Sequence, residues 1–133
     1  MQPARTRTAK DYMSRDLVVF RPDTDLRVAM RALLDNDISG APVVDDRGNL
    51  IGILSEKDCF RAAFKASYYA ELTGPVRDYM SSHVETIDAD MAIVEVVELF
   101  FRSTYRRFPV MAGGQLVGQL TRSDVLEAVV ELW

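Results

Sequence analysis

Two short stretches carry the residue types from which a site can be built. Gly52-Ile53-Leu54-Ser55-Glu56-Lys57-Asp58 returns sixty-six residues later as Gly118-Gln119-Leu120-Thr121-Arg122-Ser123-Asp124. Each keeps a glycine, a leucine, a hydroxyl and, three residues beyond the hydroxyl, an aspartate. A carboxylate accepts hydrogen bonds from both vicinal hydroxyls of a sugar, and the first turn of a helix offers unpaired N–H groups to an anion. A glycine on the preceding strand lets another backbone approach closely. The chemistry suggested is that of binding. The same letters also read as a hydroxyl N-cap with an acid in the first helical turn, a cap that contributes about 0.5–2 kcal/mol. The two readings are compatible, because a capping side chain can also touch a ligand.

Catalytic chemistry has less to work with. The single histidine, His83, and the single cysteine, Cys59, have no partners at spacings that suggest a metal site or a nucleophile and its base. No catalytic residue, metal ligand or catalytic cofactor is expected. Asp45-Asp46-Arg47-Gly48-Asn49 is acidic but lacks the alternating oxygen ligands and distal glutamate of a calcium loop, and reads as a hairpin turn.

The 133 residues, 48% apolar and 27% charged, have the composition of a soluble globular protein with a proper core. A net charge of −4 supplies no broad positive field for a nucleic-acid backbone. One cysteine excludes an internal disulfide, no leader-like start is present, and no apolar run approaches the length of a membrane span. A cytoplasmic protein bound neither to nucleic acid nor to a membrane is expected.

The elements that must position the two motifs are duplicated with them. Asp11-Tyr12-Met13-Ser14 recurs as Asp78-Tyr79-Met80-Ser81, and Pro42-Val43 as Pro109-Val110, at an offset of 67; Leu50, Gly52, Leu54, Asp58 and Ala62 recur at an offset of 66. The loop between must be one residue shorter in the second copy. Leu26, Ala29, Met30, Leu33 and Leu34 have helical spacing, repeated by Ile93, Val96, Val97, Phe100 and Phe101. Strand, hairpin and strand follow in each copy, from Val43-Val44 to Leu50–Leu54 and from Val110-Met111 to Leu116–Leu120. Ser55 and Thr121 open a second helix, with Phe60, Ala63 and Phe64 or Val125, Ala128, Val129 and Leu132 giving its apolar spacing. Leu17 to Phe20 and Val84 to Ile87 are short strand-like pieces upstream. The expectation is an α+β fold of two β-α-β-β-α repeats, 1–66 with an N-terminal extension and 67–133 with a linker at 67–75. Gly74-Pro75 breaks that linker, and its tyrosines suggest that it packs on the body. A repeat of about sixty residues is marginal alone, so the two are expected to pack sheet to sheet with pseudo-two-fold symmetry.

The order of Asp-Tyr-Met-Ser, helix, Ile38-Ser39-Gly40-Ala41-Pro42-Val43-Val44 and the Gly52 motif, then the same again through Arg106-Arg107-Phe108-Pro109-Val110 and the Gly118 motif, closely resembles a tandem pair of cystathionine β-synthase (CBS) domains, also called a Bateman module. The resemblance runs from about Lys10 to the end. It implies up to two clefts, between the repeats, that bind AMP, ADP, ATP or S-adenosylmethionine as regulatory ligands, and pairing into a disk-like homodimer. It places ligand contacts at Ser55 and Asp58 in one copy and Thr121 and Asp124 in the other. It further implies phosphate contacts from Arg106 or Arg107, before the apolar-Pro-apolar run, where guanidinium geometry suits phosphate oxygens. Ser39, Gly40 and Ala41 fill the corresponding place in the first copy without charge, so the two clefts should differ in phosphate affinity. Lys57 and Arg122, inside the motifs, add positive charge. Thr86 occupies a strand position where the family often has a ligand-touching hydroxyl, and Phe108 and Ala41 lie where apolar groups either sandwich an adenine or build the core.

Three functions compete at this point. A regulatory module senses an adenosyl ligand and signals to an unidentified protein; a structural dimerisation module keeps vestigial clefts; an enzyme, the weakest of the three, lacks a metal cluster or activated nucleophile.

Overall fold

The computed structural model describes residues 6–69 and 71–133. In chain order the elements are α1 (Leu26–Asp35), β1 (Gly40–Val44), β2 (Leu50–Ser55), α2 (Glu56–Tyr69), β3 (Ile87–Asp88), α3 (Ile93–Arg102), β4 (Arg107–Ala112), β5 (Gln115–Thr121) and α4 (Arg122–Leu132). Single 3-10 turns at Ala9–Asp11 and Val76–Asp78 begin the two Asp-Tyr-Met-Ser segments. Among the described residues no helix is long and apolar enough to cross a membrane.

Two compact α+β units form. One is Val18–Val84; the other joins Glu85–Trp133 to the N-terminal residues through Leu17. Compact unit and sequence repeat are therefore different stretches of chain. The segment that precedes the first repeat packs on the second, and the segment that precedes the second packs on the first. In the Val18–Val84 unit, Ser81 forms an antiparallel bridge with Ile53 of β2, with N–H···O distances of 2.9 Å both ways. In the other, Ser14 bridges Gln119 of β5 at 2.9 and 3.0 Å. Val76 and Ala9 anchor the two segments with side chains wholly buried in their respective cores. The carbonyls of Gly74 and Arg7 accept from the first N–H groups of α1 and α3, Leu26 and Ile93, which the helices themselves leave unpaired.

The glycines explain how the segments fit. A Cβ on Gly52 would lie 2.7 Å from the Met80 Sδ and 2.9 Å from the Ser81 carbonyl oxygen. The close backbone approach expected at Gly52 and Gly118 is made by the crossing segments, the Ser81 and Ser14 carbonyls lying 2.9 and 2.8 Å from where a Cβ would be.

Both hairpins pair antiparallel with a register irregularity at the same repeat position, Val43/Val44 and Val110/Met111. Gly113 and Gly114, both at positive φ, close β4–β5 with two residues. The first copy uses the longer turn 45–49, held by Asp45, whose Oδ1 accepts from the N–H groups of Arg47 and Asn49, both at 2.9 Å.

Several expectations need correction. Leu17 to Phe20 is not a strand: only Phe20 pairs, with Val43, and the following Arg21-Pro22 cannot extend the ladder. The piece at Val84 to Ile87 shrinks to β3, Ile87–Asp88, parallel to β4. In α2 the spacing Phe60, Ala63, Phe64 marks the outer face: Phe60 and Phe64 are 71% and 64% exposed, whereas Cys59 and Ala62 are buried. Helix α2 also runs to Tyr69, into the expected linker, and Tyr68 stands out from the surface against the edge of Phe64. Ala70 of that linker lies outside the described residues.

Candidate functional site

In the unit built on Glu85–Trp133, β4 and β5 bring the expected residues to one end of their hairpin. Arg107 is the register partner of Thr121, and the Arg122 N–H donates to the Arg106 carbonyl at 3.1 Å. The start of α4 is fixed by a capping box: the Thr121 N–H donates to Asp124 Oδ2 at 2.9 Å and the Asp124 N–H to Thr121 Oγ1 at 3.2 Å. Asp124 Oδ1 receives no hydrogen bond from the described residues. The Arg122 guanidinium reaches the Thr104 carbonyl at 3.4 Å. The backbone thus brings three arginines to the hairpin end that carries a capped, half-buried carboxylate. Thr86, exposed, is the residue before β3 on the next strand.

The Val18–Val84 unit repeats the backbone and changes the chemistry. Gly40 pairs with Ser55, and the Glu56 N–H donates to the Ser39 carbonyl at 2.8 Å. The capping box recurs, with the Ser55 N–H on Asp58 Oδ2 at 2.9 Å and the Asp58 N–H on Ser55 Oγ at 3.1 Å. The Ser55 hydroxyl lies 3.0 Å from the same Oδ2. Here, however, the other oxygen is engaged as well. Oδ1 accepts from Arg61 Nη1 at 3.0 Å and from Ser81 Oγ at 3.1 Å, and Asp58 is 4% exposed. Lys57 is exposed beside it.

Neither Arg61 nor Ser81 stands out in the sequence as a partner of this carboxylate. Arg61 has the i,i+3 spacing of a helical ion pair; Ser81 becomes legible only once its segment is known to cross β2.

Two of the expected contacts have their side chains elsewhere. Phe108, 1% exposed, meets Phe100 and Tyr105 edge to face at centroid distances of 4.9 and 5.6 Å, within its unit's core. Ala41, 2% exposed, belongs to the core of the other unit. All of β1 is buried, as is β4 from Phe108 to Val110, so both side chains are enclosed within their own units. Among the described residues no group of three or more His, Cys, Asp and Glu is placed to hold a metal ion. Burial pushes the Cys59 thiol above its ordinary range, and the charges of Asp58 and Glu56 add to the effect.

Comparison with known proteins agrees with this duplicated architecture. The CBS domain model matches residues 9–65 and again 76–131. A CBS domain-containing protein of Dictyostelium discoideum is 32% identical over 133 aligned residues, which cover 92% of this chain and 91% of that protein. An uncharacterized protein of Methanocaldococcus jannaschii is 26% identical over 93% of this chain, which spans only 43% of that longer relative. Among solved structures, CBSX2 in complex with AMP, a CBS-pair protein of Arabidopsis thaliana, has a TM-score of 0.82 at 26% identity and covers 94% of this chain and 97% of its own. The family model matches twice and in order, over most of the length: the chain belongs to the CBS domain family, as a tandem pair.

Proposed function

We propose that the protein is a regulatory module, not an enzyme, that binds an adenine nucleotide through the Arg106, Arg107, Thr121, Arg122 and Asp124 set and passes its occupancy to a partner protein in the cytoplasm. The observation that carries this reading is the meeting of a carboxylate oxygen open to new hydrogen bonds with three guanidinium-bearing residues at one hairpin end. Asp124 Oδ1 is suited to the ribose hydroxyls, and Thr86 and Thr121 add hydroxyls. The arginines are suited to phosphate, where planar donors match the oxygens two at a time. They also favour AMP, ADP or ATP over S-adenosylmethionine, whose sulfonium carries positive charge and which has no phosphate. The 26% identical CBSX2, crystallised with AMP, supports the choice of ligand class. Signalling follows from linkage: the nucleotide favours whichever arrangement binds it more tightly. A homodimer is the expected assembly.

Isothermal titration of the full chain with adenosine, AMP, ADP, ATP and S-adenosylmethionine tests this, followed by incubation and chromatography of the nucleotides. Saturable binding without turnover is expected. Turnover would make the protein an enzyme, and no binding across the series, with a dimer in light scattering, would leave the structural dimerisation reading.

A further inference from the structure

We infer that the two copies of the motif have divided their roles: Asp58 is a structural carboxylate that takes no ligand, and each chain binds one nucleotide, on the Asp124 set. This rests on the proposed function for its second half only. An ionised carboxylate has about four acceptor positions. In Asp58 the four are taken by the Ser55 N–H, the Ser55 hydroxyl, Arg61 and Ser81. Those partners come from the end of β2, the second turn of α2 and the segment that crosses β2, so one buried side chain ties three pieces of the unit together. A ribose could reach it only by displacing Arg61 and Ser81, giving up a charge-assisted bond at 3.0 Å and a hydroxyl bond at 3.1 Å on a carboxylate that is 4% exposed.

The second copy has the same backbone and none of this closure. Glu127 stands at the repeat position of Arg61, so no cation is offered to Asp124 from there. Ser14, the counterpart of Ser81, makes the same main-chain bridge but no hydrogen bond to Asp124. Surrounding charge diverges in the same direction. Where the second copy has Arg106, Arg107, Arg122 and Ser123, the first has Ser39, Gly40, Glu56 and Lys57, one cation against three. A carboxylate closed by its own neighbours, with an acidic residue in place of an arginine, disfavours a phosphorylated ligand.

The test combines titration with AMP and ADP, and thermal melting without ligand, on the full chain and two variants, Asp58→Asn and Asp124→Asn. The expected stoichiometry is one nucleotide per chain. Asp124→Asn should weaken binding at least tenfold with little change in melting. Asp58→Asn should leave affinity within twofold and lower the melting temperature clearly more than Asp124→Asn does. Two nucleotides per chain, or a loss of affinity in Asp58→Asn comparable to that in Asp124→Asn, overturns the inference. If the wild-type chain binds no nucleotide, the proposed function fails; the structural role of Asp58 is then read from melting alone, and equal melting of the two variants overturns it. Should Asp58→Asn not fold, the double variant Arg61→Met with Ser81→Ala replaces it. It opens Oδ1 while keeping the cap, and is expected to melt earlier with affinity unchanged; a threefold or greater loss of affinity overturns the division of roles.

Discussion

Met13 lies directly over Gly118: a Cβ on that glycine would come within 2.6 Å of the Met13 Sδ and 2.8 Å of the Ser14 carbonyl oxygen. The sulfur can swing aside, but the carbonyl belongs to a backbone bridge with Gln119 and cannot. Gly118→Ala should therefore destabilise the chain by about 1–3 kcal/mol, the usual range for overpacking. Gly52→Ala should do the same through Met80 and Ser81. Urea denaturation measures both, and a midpoint unchanged in either variant would show that the crossing segments are not held where they are described.

Asp124 and a ribose give a prediction that separates binding from folding. Asp124→Asn should weaken AMP by roughly 1.5–3 kcal/mol, the range for hydrogen bonds to a charged group. The asparagine amide oxygen can still accept from the Thr121 N–H, so the helix start survives. Titration with 2′-deoxy-AMP completes the argument: the wild-type chain should discriminate against it, and the variant should not. Equal discrimination by both would remove the ribose from this carboxylate.

Arg106→Ala and Arg107→Ala should reduce affinity for ATP and ADP more than for adenosine. The difference between adenosine and ATP should shrink as salt is raised, because exposed charges are screened. Parallel titrations at low and high ionic strength read this directly, and equal losses along the whole series would exclude a phosphate role.

Cys59 gives a prediction about pH. Burial raises its folded pKa above the unfolded value, so its contribution to stability is full below the unfolded value and is lost as pH rises through the folded one. Native protein should react with a thiol reagent at mildly alkaline pH far more slowly than urea-unfolded protein. The alkaline fall in melting temperature should be smaller in Cys59→Ala. Fast labelling of the native chain would place the thiol outside the core.

How far the sequence can be read is decided by the range of the interactions involved. Amphipathic spacing in α1 and α3 marks their buried residues, Leu26, Ala29, Leu33, Ile93 and Val96, because periodicity is local, but the matching positions Leu34 and Phe101, expected on the same faces, are 66% and 88% exposed. The hairpins and both capping boxes are local too, and the repeat reveals them twice. The crossing of Met13 over Gly118 and Met80 over Gly52 is not local; it joins residues that no spacing rule connects. Helix α2 misleads for a related reason. Phe60 and Phe64 present the stronger apolar stripe, yet the unit buries the smaller Cys59 and Ala62 in its core. At the site, pairing of the motif residues is legible, but closure of Asp58 by Ser81 depends on the crossing segment and is not.

The exchange of crossing segments also sets an order for assembly during synthesis. Everything needed by the Val18–Val84 unit has been made once Val84 leaves the ribosome, so this half can close early. Residues 6–14 have the opposite fate: made before that unit, they must wait for β5, Gln115–Thr121, before Met13 and Ser14 have a surface to rest on. A nascent chain halted before residue 115 would thus carry a finished Val18–Val84 unit and an unsheltered segment at 6–14, the state in which chaperones or proteases would meet it.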